Sequence, residues 1–273
     1  MFKKIMRMMA AVLPLFIAGQ AIAAERSLSI PGDHGMLSAI LQTPDGKDSW
    51  PVVMLMHGFG GSKEAPLLNI LADDLESRGI ASLRFDFNGH GKSEGAFRDM
   101  TVSNEIEDAK RVLDYLSRLP GAESVSAAGH SQGGLVAGML AGMTNGVLKS
   151  VVLFSPASVI RDDAVRGLLF GKRYDPMDPP ETVRLGRGIE VGRAYIQAVQ
   201  AMPIYETAAR YSGPVCVIHG MRDTVVPYTC SLHYNHAFSD CELHILPGLG
   251  HLFAEDRAGT AKLAADFFAA KLR

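Results

Sequence analysis

The chain has 273 residues, 47 % of them hydrophobic, with 27 Lys plus Arg against 29 Asp plus Glu and a net charge of −2. That length and apolar fraction suffice to bury one large core. The balanced charge has no basic block, which excludes a nucleic-acid backbone or an anionic membrane surface as an evident partner.

In chain order, Lys3, Lys4 and Arg7 precede an apolar stretch over residues 10–19, and Ala21-Ile22-Ala23 follows. A positive region, an apolar segment too short to span a bilayer and a small-residue site are the parts of a signal peptide. The expectation is export to a periplasm or beyond the cell, with cleavage before Ala24 and no membrane attachment afterwards. An uncleaved anchor is the alternative, although no stop-transfer pattern follows.

The remainder, residues 24–273, alternates short apolar runs with longer helical patterns. An early pair of strands is predicted over residues 27–30 and 36–42, then strands over 52–56, 81–85, 124–128, 150–154, 215–218 and 243–246. Most are continuous apolar runs, as suits strands buried on both faces. Helices are predicted over 67–78, over 135–143 and in the last sixteen or so residues. Val102, Ile106, Ala109, Leu113 and Leu116 mark one face of another, stopped by Pro120-Gly121. This pattern predicts an α/β fold, a mostly parallel sheet with helices on both faces. Residues 158–209 break it, with no strand signal and dense Pro, Gly and charge. Insertions of that length are usually lids, and a partly helical lid over the site is expected. A disordered excursion is the alternative, disfavoured by the apolar surface of Tyr195, Ile196, Ile204 and Tyr205.

Three cysteines, Cys216, Cys230 and Cys241, leave at least one unpaired. Cys230 and Cys241 could bridge in an oxidising compartment, whereas Cys216, in the apolar run 214–218, reads as a core thiol. Cys230, His233 and His236 repeat every three residues, but a fourth ligand is not evident and no metal site is read.

The chemistry centres on Gly129-His130-Ser131-Gln132-Gly133, which joins the predicted strand at 124–128 to a small-residue helix. Strand, sharp turn and helix around GxSxG describe a nucleophile elbow. A serine hydroxyl is a poor nucleophile at neutral pH, so it needs an imidazole to take its proton and a carboxylate to orient that imidazole. In such a fold the order is Ser, acid, His. Asp223 follows the strand at 215–218 and His251 follows the strand at 243–246, so both fall at strand carboxyl ends, where open α/β sheets place their ligand sites. Asp240 is the fallback acid, though it precedes a strand. The N–H groups of Gln132 and of Phe59, in His57-Gly58-Phe59-Gly60-Gly61, are the expected oxyanion donors. Gly91-Lys92-Ser93 is not a phosphate loop, because the glycine that motif requires at position 86 is Asp86.

These residues resemble the α/β-hydrolase superfamily, and within it the bacterial cinnamoyl or feruloyl esterases. The resemblance rests on Leu83 through Gly95 (LRFDFNGHGKSEG), Asp99-Met100-Thr101-Val102, Glu105-Ile106-Glu107-Asp108-Ala109, Gly129 through Gly134 and Pro203-Ile204-Tyr205-Glu206. It implies hydrolysis of hydroxycinnamate esters without metal or organic cofactor. It also implies that a lid carboxylate, Asp163 here, contacts the hydroxyl of the aromatic ring. Leu168-Leu169-Phe170 is apolar where that family would be more polar. A serine aminopeptidase, an acylglycerol lipase or a non-catalytic binding protein on the same scaffold remain the alternatives.

Overall fold

Valine, leucine and isoleucine in unbroken runs leave a strand no polar face, so it must be covered on both sides. The computed structural model, which describes residues 24–272, meets that demand with eight strands and helices on either side. The strands are β1 (Ala24–Pro31), β2 (Met36–Thr43), β3 (Trp50–Met56), β4 (Ala81–Phe85), β5 (Ala122–His130), β6 (Leu148–Phe154), β11 (Val215–Gly220) and β12 (Cys241–Leu246). Their order across the sheet is β1-β2-β4-β3-β5-β6-β11-β12. Only the pairings of β2 with β1 and β4 are antiparallel, and the other five are parallel.

The two faces are legible residue by residue. Val52, Met54 and Met56 of β3 point into one core, beneath α2 (Val102–Ser117) and α3 (Gln132–Met143). Val53 and Leu55 point into the other, beneath α1 (Pro66–Ser77) and α8 (Arg257–Lys271). The strands β6 and β11 divide in the same way, with Cys216 and Ile218 on the α1/α8 side. Thr101 and Asp256 cap α2 and α8 by accepting the N–H groups of Asn104 and Gly259. The four predicted helices are all present, the second and third starting at or just after Thr101 and Ser131.

Between β6 and β11 lies the insert. It holds α4 (Val159–Val165), α5 (Arg193–Gln200), α6 (Ile204–Ala208) and two small hairpins, β7 (Leu168–Leu169) with β8 (Lys172–Arg173) and β9 (Thr182–Arg184) with β10 (Glu190–Gly192). The absence of strands expected for residues 158–209 is therefore corrected. Strands of two or three residues are too short to write a period into the sequence. Tyr195, Ile196, Val199 and Ile204 bury themselves in the main core, so the insert is packed against the sheet domain. The last helix before β12 is α7 (Thr229–Ala237).

All three cysteines are free thiols. Burial pushes those of Cys216 and Cys241 up to about 12, which makes both poor nucleophiles. Among the described residues no helix is long and apolar enough to cross a membrane. The expected signal peptide, residues 1–23, lies outside the described residues.

Two glycines carry the sharpest turn. A Cβ on Gly129 would overlap the backbone of Gly133, and one on Gly133 would meet the carbonyls of His57 and Met56. Backbone cannot step aside as a side chain can. Gly133→Ala should therefore cost roughly 1–3 kcal/mol, the usual penalty of overpacking a filled interior. Urea denaturation would read this as a lower midpoint, and an unchanged midpoint would contradict the close approach.

Candidate active site

The chain leaves β5 at His130 and enters α3 at Gln132, with one residue to turn in. Ser131 makes that turn with φ 58° and ψ −120°, a left-handed conformation that costs a non-glycine residue on the order of 1–3 kcal/mol. Three hydrogen bonds hold it there. Its N–H donates to Phe154 O at 2.8 Å, and its carbonyl accepts from Ala157 N–H at 3.0 Å and Leu135 N–H at 3.1 Å.

This turn delivers Ser131 Oγ to the carboxyl edge of the sheet, 3.0 Å from His251 Nε2. The other ring nitrogen, Nδ1, lies 2.7 Å from Asp223 Oδ2. Nδ1 faces a carboxylate and so carries the proton, which leaves Nε2 free to accept one from Ser131. The structure thus brings together the three residues that the sequence order singled out. The side chain of Asp223, on a loop after β11, is fully buried, and its other oxygen accepts the N–H groups of Val225 and Val226 at 2.8 Å each. Burial alone would raise its pKa, but the bonds from His219, His251 and Val226 outweigh that and hold the carboxyl far below the usual range. Asp240 sits at the opposite end of the sheet, where its carbonyl accepts from Val215 N–H at the start of β11.

Beside Ser131, the N–H groups of Phe59 and Gln132 have no hydrogen-bond acceptor among the described residues. Gln132 is the first residue of α3, whose N–H groups are unsatisfied by the helix itself. A cavity of about 540 Å³ opens over these groups. Its walls are mostly apolar, with Phe59, Ile160, Leu169, Phe170, Val226 and Leu252 among them, and Asp163 is the one carboxylate among the described residues that line it. Burial raises the Asp163 carboxyl above its ordinary value, with Asp162 adding to the effect and Arg166 opposing it. Asp175 and Asp178 lie exposed and do not line the cavity.

A family model described as "Serine aminopeptidase, S33" matches residues 48–173, the span that carries Phe59, Ser131, Gln132 and Asp163. The chain superposes on a structure of Est1E from Butyrivibrio proteoclasticus with ferulic acid bound, with a TM-score of 0.87 at 29 % identity over 89 % of this chain and 98 % of that one. The chain is an α/β hydrolase. A second Est1E structure gives 0.83 at 27 % identity over 90 % and 98 %. In sequence the hydrolase is 28 % identical to a monoacylglycerol lipase of Mycolicibacterium smegmatis, over 77 % of this chain and 83 % of that one.

The hydrolase surrounds its site with buried polar groups that the sequence did not reveal. The Phe59 loop hangs on two imidazoles. His57 Nε2 accepts Phe87 N–H at 3.1 Å, so its Nδ1–H donates to Gly58 O at 2.8 Å. His90 Nε2 accepts Gly60 N–H at 3.3 Å, so its Nδ1–H donates to Asn88 O at 3.1 Å. Burial, with His90 nearby, pushes His57 down to about 3, and burial lowers His90 too, so both rings are neutral near pH 7. Asp86, the residue that rules out a phosphate loop, instead ties this loop to the next one. Its carboxylate takes Lys63 Nζ at 2.5 Å, Lys63 N–H at 2.6 Å and Lys92 N–H at 2.8 Å. These bonds overcome its burial and hold it below the usual carboxylate range.

Gln132 is fastened through its side chain as well. Its Oε1 accepts the Tyr195 hydroxyl of α5 at 2.7 Å, and its Nε2 donates to Glu105 of α2 at 2.8 Å. Glu105 is wholly buried, and burial, with Asp108 adding to it, raises its pKa from 4.5 to about 8 despite the Gln132 bond. Cys230 is buried in α7 while His233 and His236 are exposed, and among the described residues no group of three ligands is placed to hold a metal ion.

The raised pKa of Glu105 has a definite sign. Between 4.5 and about 8 the folded state binds a proton that the unfolded state has lost, so stability falls as pH rises through that window and levels off above it. Glu105→Gln keeps an acceptor for Gln132 without the titration. Its thermal midpoint relative to wild type should rise steadily from pH 5 to pH 8, and a gap independent of pH would contradict this.

Proposed function

We propose that this protein is a serine hydrolase that cleaves carboxylic esters through an acyl-enzyme. The observation that carries the reading is the line of contacts from Ser131 Oγ through His251 to buried Asp223, at 3.0 and 2.7 Å, beneath an apolar cavity. His251 takes the Ser131 proton as Oγ attacks the ester carbonyl. The N–H groups of Phe59 and Gln132 hold the oxyanion, fixed in place before charge develops. Collapse expels the alcohol, protonated by His251, and water repeats the cycle to release the acid. Asp223 orients His251 and offsets its charge while it is an imidazolium.

For the acyl group we propose a hydroxycinnamate, with the insert acting as a lid. A planar arylpropenoyl chain suits an apolar cavity of this size, and Asp163 on its wall would accept the phenolic hydroxyl. The likeness to Est1E, whose structure holds ferulic acid, supports this choice. The relative named as a monoacylglycerol lipase favours a second reading, an acylglycerol substrate in the same apolar cavity. An aminopeptidase needs carboxylates around the substrate's free amine. Among Asp162, Asp163, Asp175 and Asp178 of the insert, Asp163 alone lines the cavity. Export, read from residues 1–23, is part of the proposal.

Ser131→Ala should fold normally and lose at least ~10³-fold in kcat, on the scale of nucleophile removal in other serine hydrolases. A panel of methyl ferulate, a monoacylglycerol and an amino-acid anilide separates the substrates. The highest kcat/KM is expected for methyl ferulate, with a reduced preference for its phenolic ring in Asp163→Asn. Preference for the anilide would overturn the esterase reading.

A further inference from the structure

His219 is the penultimate residue of β11, four residues before Asp223, and its side chain is completely buried. Its Nε2 lies 2.9 Å from Val226 O and 3.2 Å from Asp223 Oδ2, the same oxygen that receives His251. Two acceptors on one nitrogen require that nitrogen to carry a proton. The other nitrogen, Nδ1, is 2.6 Å from the hydroxyl of Ser231, a fully buried residue of α7. That hydroxyl has no other partner in the hydrogen-bond network of the described residues. A doubly protonated ring would leave the Ser231 O–H without an acceptor, so the hydroxyl donates to Nδ1 and fixes the neutral Nε2–H form.

We propose that His219 is a positioning residue for the hydrolytic reaction, its Nε2–H steering the Asp223 carboxylate toward His251 in a tautomer set by Ser231. This rests on the proposed roles of Ser131, His251 and Asp223. The carboxylate has two kinds of support. Oδ1 is pinned by the backbone N–H groups of Val225 and Val226, which fix one end only. Rotation about that end would carry Oδ2 away from both His251 and His219 Nε2, so the His219 contact opposes it. By sharing the charge on Oδ2, it also moderates how strongly Asp223 favours the imidazolium. The titratable groups around it are Asp223, His251 beyond it, and His130, whose Nε2–H donates to His251 O at 2.8 Å.

The test compares His219→Leu, His219→Gln and Ser231→Ala with wild type, using a fluorophosphonate probe at Ser131 and a p-nitrophenyl ester across pH. His219→Leu should slow both labelling and kcat by roughly tenfold or more, the scale on which losing a partner that orients a reacting group is felt. KM should barely change. The acid limb of kcat/KM should move to higher pH, because an Asp223 charge no longer shared with His219 bears more fully on His251. His219→Gln, whose amide nitrogen reaches the Nε2 position, should recover most of the rate and return the limb. Ser231→Ala should fall between them, and it carries the test if the leucine variant does not fold. Wild-type labelling rates and an unmoved limb in every folded variant would overturn the proposal. So would a loss of rate at all pH values that glutamine does not rescue. Absence of probe at Ser131 in wild type would instead overturn the hydrolase mechanism itself.

Discussion

The backbone at Ser131 is the constraint on which the rest depends. One residue in a left-handed conformation reverses the chain from β5 into α3, and nothing larger than hydrogen fits at positions 129 and 133. The strain persists because hydrogen bonds to β6, to the start of the insert and within α3 together over-determine it. A serine raised on such a turn has no neighbours of its own. Apart from Gln132, the groups proposed to act with its hydroxyl come from loops at the same edge of the parallel sheet, after β3, β11 and β12, and the strand order places those loops on either side of β5.

Around that turn, the number of donors a carboxyl receives sets Asp223 and Asp86 apart from Glu105. Asp223 and Asp86 each receive several N–H groups and stay ionised, although both are buried. Glu105, equally buried but held by Gln132 alone, takes a proton instead. His57 and His90 are kept neutral by burial, so the loop that carries Phe59 is fastened without placing a cation beside the cavity. The Lys63–Asp86 pair contributes little net stability by itself. Removing either partner would leave a lone buried charge costing about 3–5 kcal/mol, and that asymmetry keeps the two loops in register.

The parts legible in the sequence were those written locally. Continuous apolar runs gave away strands covered on both faces, and the order of Ser131, Asp223 and His251 with their loop positions was enough to bring them together. The small hairpins of the insert were hidden by their length. The buried polar framework was hidden for a different reason. Glu105 and Gln132 are 27 residues apart, Gln132 and Tyr195 are 63 apart, and His57 finds its partner 30 residues away. A glutamate on an amphipathic helix looks like a solvated residue until the neighbouring helix is in place. His219 had a faint local signal, being four residues ahead of an acid already singled out, but its bond to Ser231 depends on α7 folding back over β11.

The Tyr195 hydroxyl gives the insert a second role. Because α5 supplies the acceptor side of Gln132 with its partner, the segment that shapes the cavity also steadies the residue next to the serine. Specificity and turnover are therefore not separate modules in this architecture. A chimaera that grafts another relative's insert between β6 and β11 would exchange the walls of the cavity and, unless it brings a tyrosine to the same place, would also loosen the floor.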